Sequence, residues 1–221
     1  MRYRRLNMLL SVFIVLTVII GLGFQFGLFH GKPDFSSIGM YGTLSEINIG
    51  IYFLAERIWM KHHRRGVFAA FWKYGSFVIY LFGILIGWIF VYPFYSGLKQ
   101  QVETAFVLLH VVLPVEVLLE WIIGEKGHFQ KQFRIFGILP PCVYIVVVLI
   151  LGAMKKGLFV NQADYPYSFL NVTQLGYQIV IPTCILYFLL LIIFSNVIVG
   201  IDTGMADRQR RKKRYDQTYR A

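Results

Sequence analysis

Residues 174–200 read QLGYQIVIPTCILYFLLLIIFSNVIVG, without one charged side chain. About 20 consecutive apolar residues span the hydrocarbon core of a bilayer as an α-helix. Five further stretches pass the same test, over residues 6–29, 40–60, 74–95, 104–123 and 135–154. The composition agrees. Of 221 residues, 57% are hydrophobic, 17% aromatic and only 15% charged, where a soluble domain carries about 25% charged residues. This composition excludes a soluble α/β enzyme. The expected fold is an all-α integral membrane protein, a bundle of six transmembrane helices with both termini cytoplasmic. Residues 1–205 form the six-helix domain and residues 206–221 a basic cytoplasmic tail.

The orientation follows from the basic residues. Eighteen of the 22 Lys and Arg fall at the N-terminus, between the second and third spans, between the fourth and fifth, and in the tail. Lys32, Lys99, Lys155 and Lys156 are the four on the other side. Such asymmetry places the basic side in the cytoplasm, here that of a multi-pass cell-membrane protein. Trp59, Trp72 and Trp121 then fall near the inner interface, and Tyr92, Tyr95, Tyr165 and Tyr167 near the outer one, as an aromatic belt requires. Arg2, Arg4 and Arg5 before an apolar run resemble a signal peptide, but the run is too long and no small-residue cleavage site follows, so a retained first helix is expected. Pro140 and Pro141 are expected to kink the fifth span, and Pro114 and Pro182 the fourth and sixth. Gly23–Gly27 and Gly83–Gly87 permit close helix approach.

Ionisable groups at bilayer depth need a partner or a task. His110 lies about 9–12 Å below the outer end of its helix, Glu46 about 9 Å and Thr43 about 4–5 Å, at the α-helical rise. Thr43, Glu46 and Gly50 share one helical face. Asn171, Thr173, Gln174, Tyr177 and Gln178 add polar groups at the outer end of the last span. Each has a structural reading too. His110 is a satisfied buried imidazole, Thr43 bonds back to its own helix, and Glu120 pairs with Arg57 near the inner interface. Cys142 and Cys184 lie in apolar runs and form no metal or redox pattern. His62 and His63 read as surface residues, and His30 and His128 carry no ligand spacing. Hydrolase, phosphate-loop and zinc signatures are absent, and no cofactor or metal is expected. The tail sequence RQRRKKR over residues 208–214 reads as a topological anchor that also suits anionic lipid head groups; no nucleic-acid partner is expected. Asn171-Val172-Thr173 fits a glycosylation sequon.

HVVLPVEVLLEW (residues 110–121) followed by YPYSFLNVTQLGY (residues 165–177) resembles a bacterial family of six-helix membrane proteins. That family is related to the androgen-induced and androgen-dependent TFPI-regulating membrane proteins, which are intramembrane threonine hydrolases. His110, Pro114, Glu120 and Trp121 carry the resemblance, with Tyr165–Tyr167 and Leu175–Tyr177. It implies that His110 is the base and Thr43 the nucleophile in cleavage of a fatty-acyl ester. The family's acid in the Tyr-Pro loop is replaced by Asn171.

The chemistry is consistent on its own terms. A Thr hydroxyl needs an adjacent base to take its proton, and a neutral His serves near pH 7. Glu46 would orient the imidazole as the third member of a triad. Its depth matches that of His110 better than Thr43's does. Asn171, Gln174 and Tyr177 are candidate substrate-binding residues, and a membrane lipid or fatty-acyl compound is the expected substrate. Two other functions use the same residues. Glu46 and His110 suit a proton- or cation-coupled binding or transport protein, and the polar groups of a non-catalytic membrane protein would simply join helices.

Overall fold

A computed structural model describes residues 2–58, 67–88, 100–124, 126–127, 129–155 and 157–218. Among these residues there is helix and no strand. Trp59, His62, His63, Tyr92, Tyr95, Lys99, His128 and Lys156 lie outside the described residues. The elements are α1 (Arg2–Gln25), α2 (Tyr41–Ile58), α3 (Val67–Ile86), α4 (Gln100–Val107), a π-helical turn (Leu108–Val112), α5 (Leu113–Ile123), α6 (Arg134–Ala153), the short α7 (Val172–Leu175) and the long α8 (Tyr177–Thr218).

Five helical stretches are long and apolar enough to cross a membrane: Leu6–Gln25, Val67–Ile86, Thr104–Ile123, Lys131–Ala153 and Tyr177–Arg211. They are clothed in exposed Leu, Ile, Val and Phe, among them Ile19, Val146, Ile150, Ile185 and Ile193. An apolar surface of that extent does not persist in water, and it is compatible with a membrane location.

The expected third span begins earlier than its apolar run. Lys73 interrupts the sequence pattern, yet α3 starts at Val67. The reason is a partner: Lys73 Nζ donates to Glu120 Oε1 at 2.7 Å, with Glu120 fully buried. This corrects the expected Arg57–Glu120 pair. Arg57 instead reaches α1, where Nη2 donates to the Asn7 carbonyl at 3.1 Å and to Ser11 Oγ. The last helix also runs on, through the basic tail to Thr218, because Arg, Lys, Gln and Met are good helix formers. α6 and α8 stay helical through Pro140, Pro141 and Pro182.

α1 packs on α2 and on the α4–α5 rod, α3 packs on α2 and α6, and α6 packs on α8. One large core joins Ile14, Ile49, Tyr52, Phe77, Leu113 and Leu191; a smaller one joins Ile145, Val148, Phe159, Tyr165, Leu170 and Val180. At the end of the bundle near residue 124, Asp202 ties α8 to the following loop. Its carboxylate accepts from Trp121 Nε1 at 3.1 Å, the Gly127 N–H at 2.8 Å and the Phe129 N–H at 3.1 Å. Trp121 is therefore buried inside the bundle, and Trp72 donates to Asn48.

Two close approaches shape the other end. A Cβ on Gly152 would lie 2.1 Å from Cε1 of Tyr165, so the glycine makes room for that ring and fixes the loop carrying it. A Cβ on Gly83 would lie 2.8 Å from Cε1 of Tyr41, so the same logic lets the first residue of α2 sink against α3. Tyr41 then donates its hydroxyl proton to the Ile79 carbonyl at 3.2 Å. Tyr165 and Tyr167, expected in an interfacial belt, turn inward instead.

Candidate active site

Pro114 decides how His110 is presented. Proline has no N–H, so it returns no hydrogen bond to the carbonyls one turn earlier. The rod widens there into the π turn Leu108–Val112, with the Leu113 N–H bonded to the Leu108 carbonyl. Two side chains supply donors to the carbonyls that Pro114 cannot serve. Tyr80 donates its hydroxyl to the Leu109 carbonyl at 2.7 Å, and Trp88 donates its indole N–H to the His110 carbonyl at 3.2 Å. Single π turns inside α-helices recur at functional sites. The Phe106 ring stacks on the imidazole, centroids 4.8 Å apart and planes 11° apart.

Facing this imidazole is α2. Thr43 and Glu46 stand three residues apart and thus on one face, and both are buried, Glu46 completely. Glu46 Oε1 lies 3.8 Å from Nδ1 of His110. Among the described residues neither carboxylate oxygen of Glu46, nor His110 Nδ1, has a hydrogen-bond partner. Buried polar atoms are nearly always satisfied, so an unsatisfied acid facing an unsatisfied imidazole marks a place with work to do. Thr43 does not hydrogen-bond to His110. Its Oγ1 accepts from Gln25 Nε2 at 2.7 Å, and the same amide reaches Ser37 Oγ at 3.0 Å. The hydroxyl oxygen is thereby fixed by α1 and the loop after it.

All three groups line one cavity of about 530 Å³, within the usual range for a small-molecule site. Its apolar lining includes Ile84, Ile86, Ala105, Phe106, Ile145 and Leu170. Four tyrosines, Tyr41, Tyr144, Tyr167 and Tyr187, also line it. Lys32, Asp34, Ser36 and Ser37 stand at the loop side. The Ser36 N–H donates to Asp34 Oδ1 at 2.8 Å and holds that exposed carboxyl below its ordinary range.

The other sequence candidates lie elsewhere. Asn171 caps α7, its Oδ1 accepting from the Gln174 N–H at 3.1 Å. Gln174 and Tyr177 are exposed, and none of the three lines the cavity. The same loop does reach it, through Tyr167, Phe169 and Leu170. Glu116 accepts from Thr17 of α1 at 3.2 Å. Asn48 bonds Ser76 at 2.9 Å, away from the cavity. Cys142 and Cys184 are free thiols, and no group of three His, Cys, Asp or Glu able to hold a metal occurs among the described residues.

Pro114→Ala tests the presentation of His110. The new N–H is expected to close an ordinary turn, draw residues 108–112 back to α-helical register and rotate the imidazole from Glu46. Whatever turnover the site performs should then fall while the thermal midpoint holds or rises, because an interior helix proline costs about 3 kcal/mol. Unchanged turnover with a restored turn, seen by helix-register crosslinking, would show that the π turn is only a packing feature.

No family model, curated protein or solved structure matches the chain.

Proposed function

We propose that the chain crosses the cell membrane six times, with both termini in the cytoplasm, and hydrolyses a lipid ester or transfers its acyl group in the cavity between α2 and the α4–α5 rod. The sixth crossing is α2. It is 18 residues long, about 27 Å at the helical rise, close to the roughly 30 Å hydrocarbon core. Its charged side chains turn inward or toward α1, while Leu44, Ile51, Leu54 and Ile58 form an exposed apolar stripe that suits lipid. The exposed Arg208, Arg210 and Arg211 suit anionic head groups at the inner surface.

The observation that carries the catalytic reading is the convergence of a buried hydroxyl, a buried carboxyl and a half-buried imidazole on one part-apolar cavity. Glu46 beside Nδ1 leaves Nε2 as the imidazole's other proton-accepting position, the division of labour in an acid–imidazole–hydroxyl triad. His110 takes the Thr43 proton as Oγ1 attacks the acyl carbonyl, then returns it to the leaving alkoxide. The apolar lining receives the acyl chain, and a membrane lipid or other fatty-acyl ester is the substrate class.

The second reading, a proton- or cation-coupled binding or transport protein, is favoured by the 3.8 Å Glu46–His110 approach itself, which needs no Thr43. The two readings part on one experiment. Purified protein is given a fluorogenic long-chain ester in micelles and, separately, a pH gradient across reconstituted vesicles. Ester turnover that Thr43→Ala abolishes supports the enzyme. Proton flux that Glu46→Gln abolishes and Thr43→Ala spares, without ester turnover, supports the relay.

A further inference from the structure

Gln25 is the last residue of α1 and of its apolar span. A side-chain amide at such a position needs partners within the protein, because lipid offers none. It has two. Nε2 donates to Thr43 Oγ1 at 2.7 Å and to Ser37 Oγ at 3.0 Å, and the side chain lines the cavity. One amide therefore joins α1, the short helical turn Ser36–Gly39 and the first turn of α2.

This bond bears on what the Thr43 hydroxyl can do. A helical hydroxyl commonly donates back to a carbonyl one turn earlier, as Ser11, Thr183 and Thr203 do to Asn7, Ile179 and Val199. Thr43 does not. The Gly39 carbonyl, four residues before it, accepts instead from the Tyr144 hydroxyl at 3.0 Å. Buried Thr43 accepts through Oγ1 from Gln25, and among the described residues its own proton goes to no protein atom. The oxygen is held while its proton is left for a base, and His110 lines the same cavity.

We propose that Gln25 is a further catalytic residue, an amide donor to the Thr43 oxygen whenever that oxygen carries charge. The inference rests on the hydrolase reading. In the first step the Oγ1–carbon bond forms, the Thr43 proton passes to His110, and the carbonyl electron pair moves onto the ester oxygen. The Gln25 N–H stabilises the charge that develops on Oγ1 as its proton departs. Collapse re-forms the carbonyl and breaks the bond to the alcohol, whose alkoxide takes the proton from His110 and leaves acyl-Thr43. Water then attacks the acyl carbon and gives its proton to His110. The carbon–Oγ1 bond breaks, its electron pair stays on Oγ1 against the Gln25 N–H, and His110 returns the proton to it as the acid leaves.

The test uses the full chain in detergent micelles, with a fluorogenic long-chain ester and a long-chain fluorophosphonate that labels the nucleophile. Gln25→Met keeps the length of the side chain and removes the donor. It is expected to lower kcat about ten- to a hundredfold, the effect of one hydrogen bond to a charged atom. Labelling of Thr43 should slow by a similar factor, and KM should be unchanged, because the amide touches Thr43 rather than the substrate. Gln25→Glu, which places a carboxylate oxygen where the N–H stood, should lose at least as much near neutral pH. Ser37→Ala keeps the bond to Thr43 and should retain most of kcat. The thermal midpoint of each variant is measured beside turnover, and rates are taken per folded protein. Full kcat in either Gln25 variant, while Thr43→Ala and His110→Ala are inactive, would overturn the role of Gln25 alone and leave it a tie between helices. A change confined to KM or to the midpoint would do the same. Full activity in Thr43→Ala and His110→Ala would overturn the hydrolase reading itself.

Discussion

His110→Ala is expected to reduce ester turnover about ten-thousandfold, the upper range for loss of a positioned general base. Thr43→Ala is expected to match it, and the double variant to be no worse than either single one, because groups that act as a unit are far from additive. The imidazole side chain is 28% exposed, and its ring rests on Phe106. Removing it therefore takes away little buried apolar area, so the thermal midpoint should move little. Turnover in detergent, measured beside that midpoint, separates the accounts. If the polar groups only join helices, the midpoint falls and no activity is lost.

A second large effect is expected far from the cavity. Lys73→Met removes the cation in direct contact with the buried Glu120 and leaves nearby only Lys126, which does not hydrogen-bond to it; breaking a buried pair in this way costs up to about 3–5 kcal/mol. The thermal midpoint should drop accordingly, with aggregation on heating. Adding Glu120→Leu should recover most of the loss, since a well-packed apolar replacement of a buried pair is often neutral or better. A single Lys73→Met variant as stable as the parent would show that the Lys73–Glu120 contact at 2.7 Å contributes nothing. The pair lies on α3 and α5, so ester turnover measured below the transition should be retained.

The apolar runs of α1, α3, α5, α6 and α8 were legible because hydropathy over about 20 residues reports burial in lipid directly. The limits of α3 were not: Lys73 reads as a terminus until its partner Glu120, far away in sequence, is known. The partners of Arg57 are hidden in the same way, since the Asn7 carbonyl and Ser11 Oγ of α1 satisfy it. Thr43, Glu46 and His110 were legible as polar or ionisable groups inside apolar runs, and the structure brings all three to one cavity; helical rise alone put the depth of Glu46 nearer than that of Thr43 to the depth of the imidazole. Asn171, Gln174 and Tyr177 follow one another closely in sequence at the outer end of the last apolar run. The backbone turns at Ser168–Leu170 and α7 carry them off the cavity and bring Tyr167 to it. The Tyr-Pro-Tyr sequence was a visible signal for that, but the choice between its two tyrosines depends on Gly152, whose missing side chain admits Tyr165. Likewise, Pro114 announces a disturbed turn, whereas Tyr80 and Trp88 as the donors that stabilise it emerge only in three dimensions.

The most direct test of the central claim is to trap the acyl enzyme. Purified protein is treated with a long-chain fluorophosphonate, digested, and the modified peptide located by mass spectrometry. The adduct should sit on Thr43, disappear in Thr43→Ala, and form far more slowly in His110→Ala. Labelling at another side chain, or labelling of Thr43 at the same rate without His110, would contradict a Thr43 nucleophile served by the His110 base.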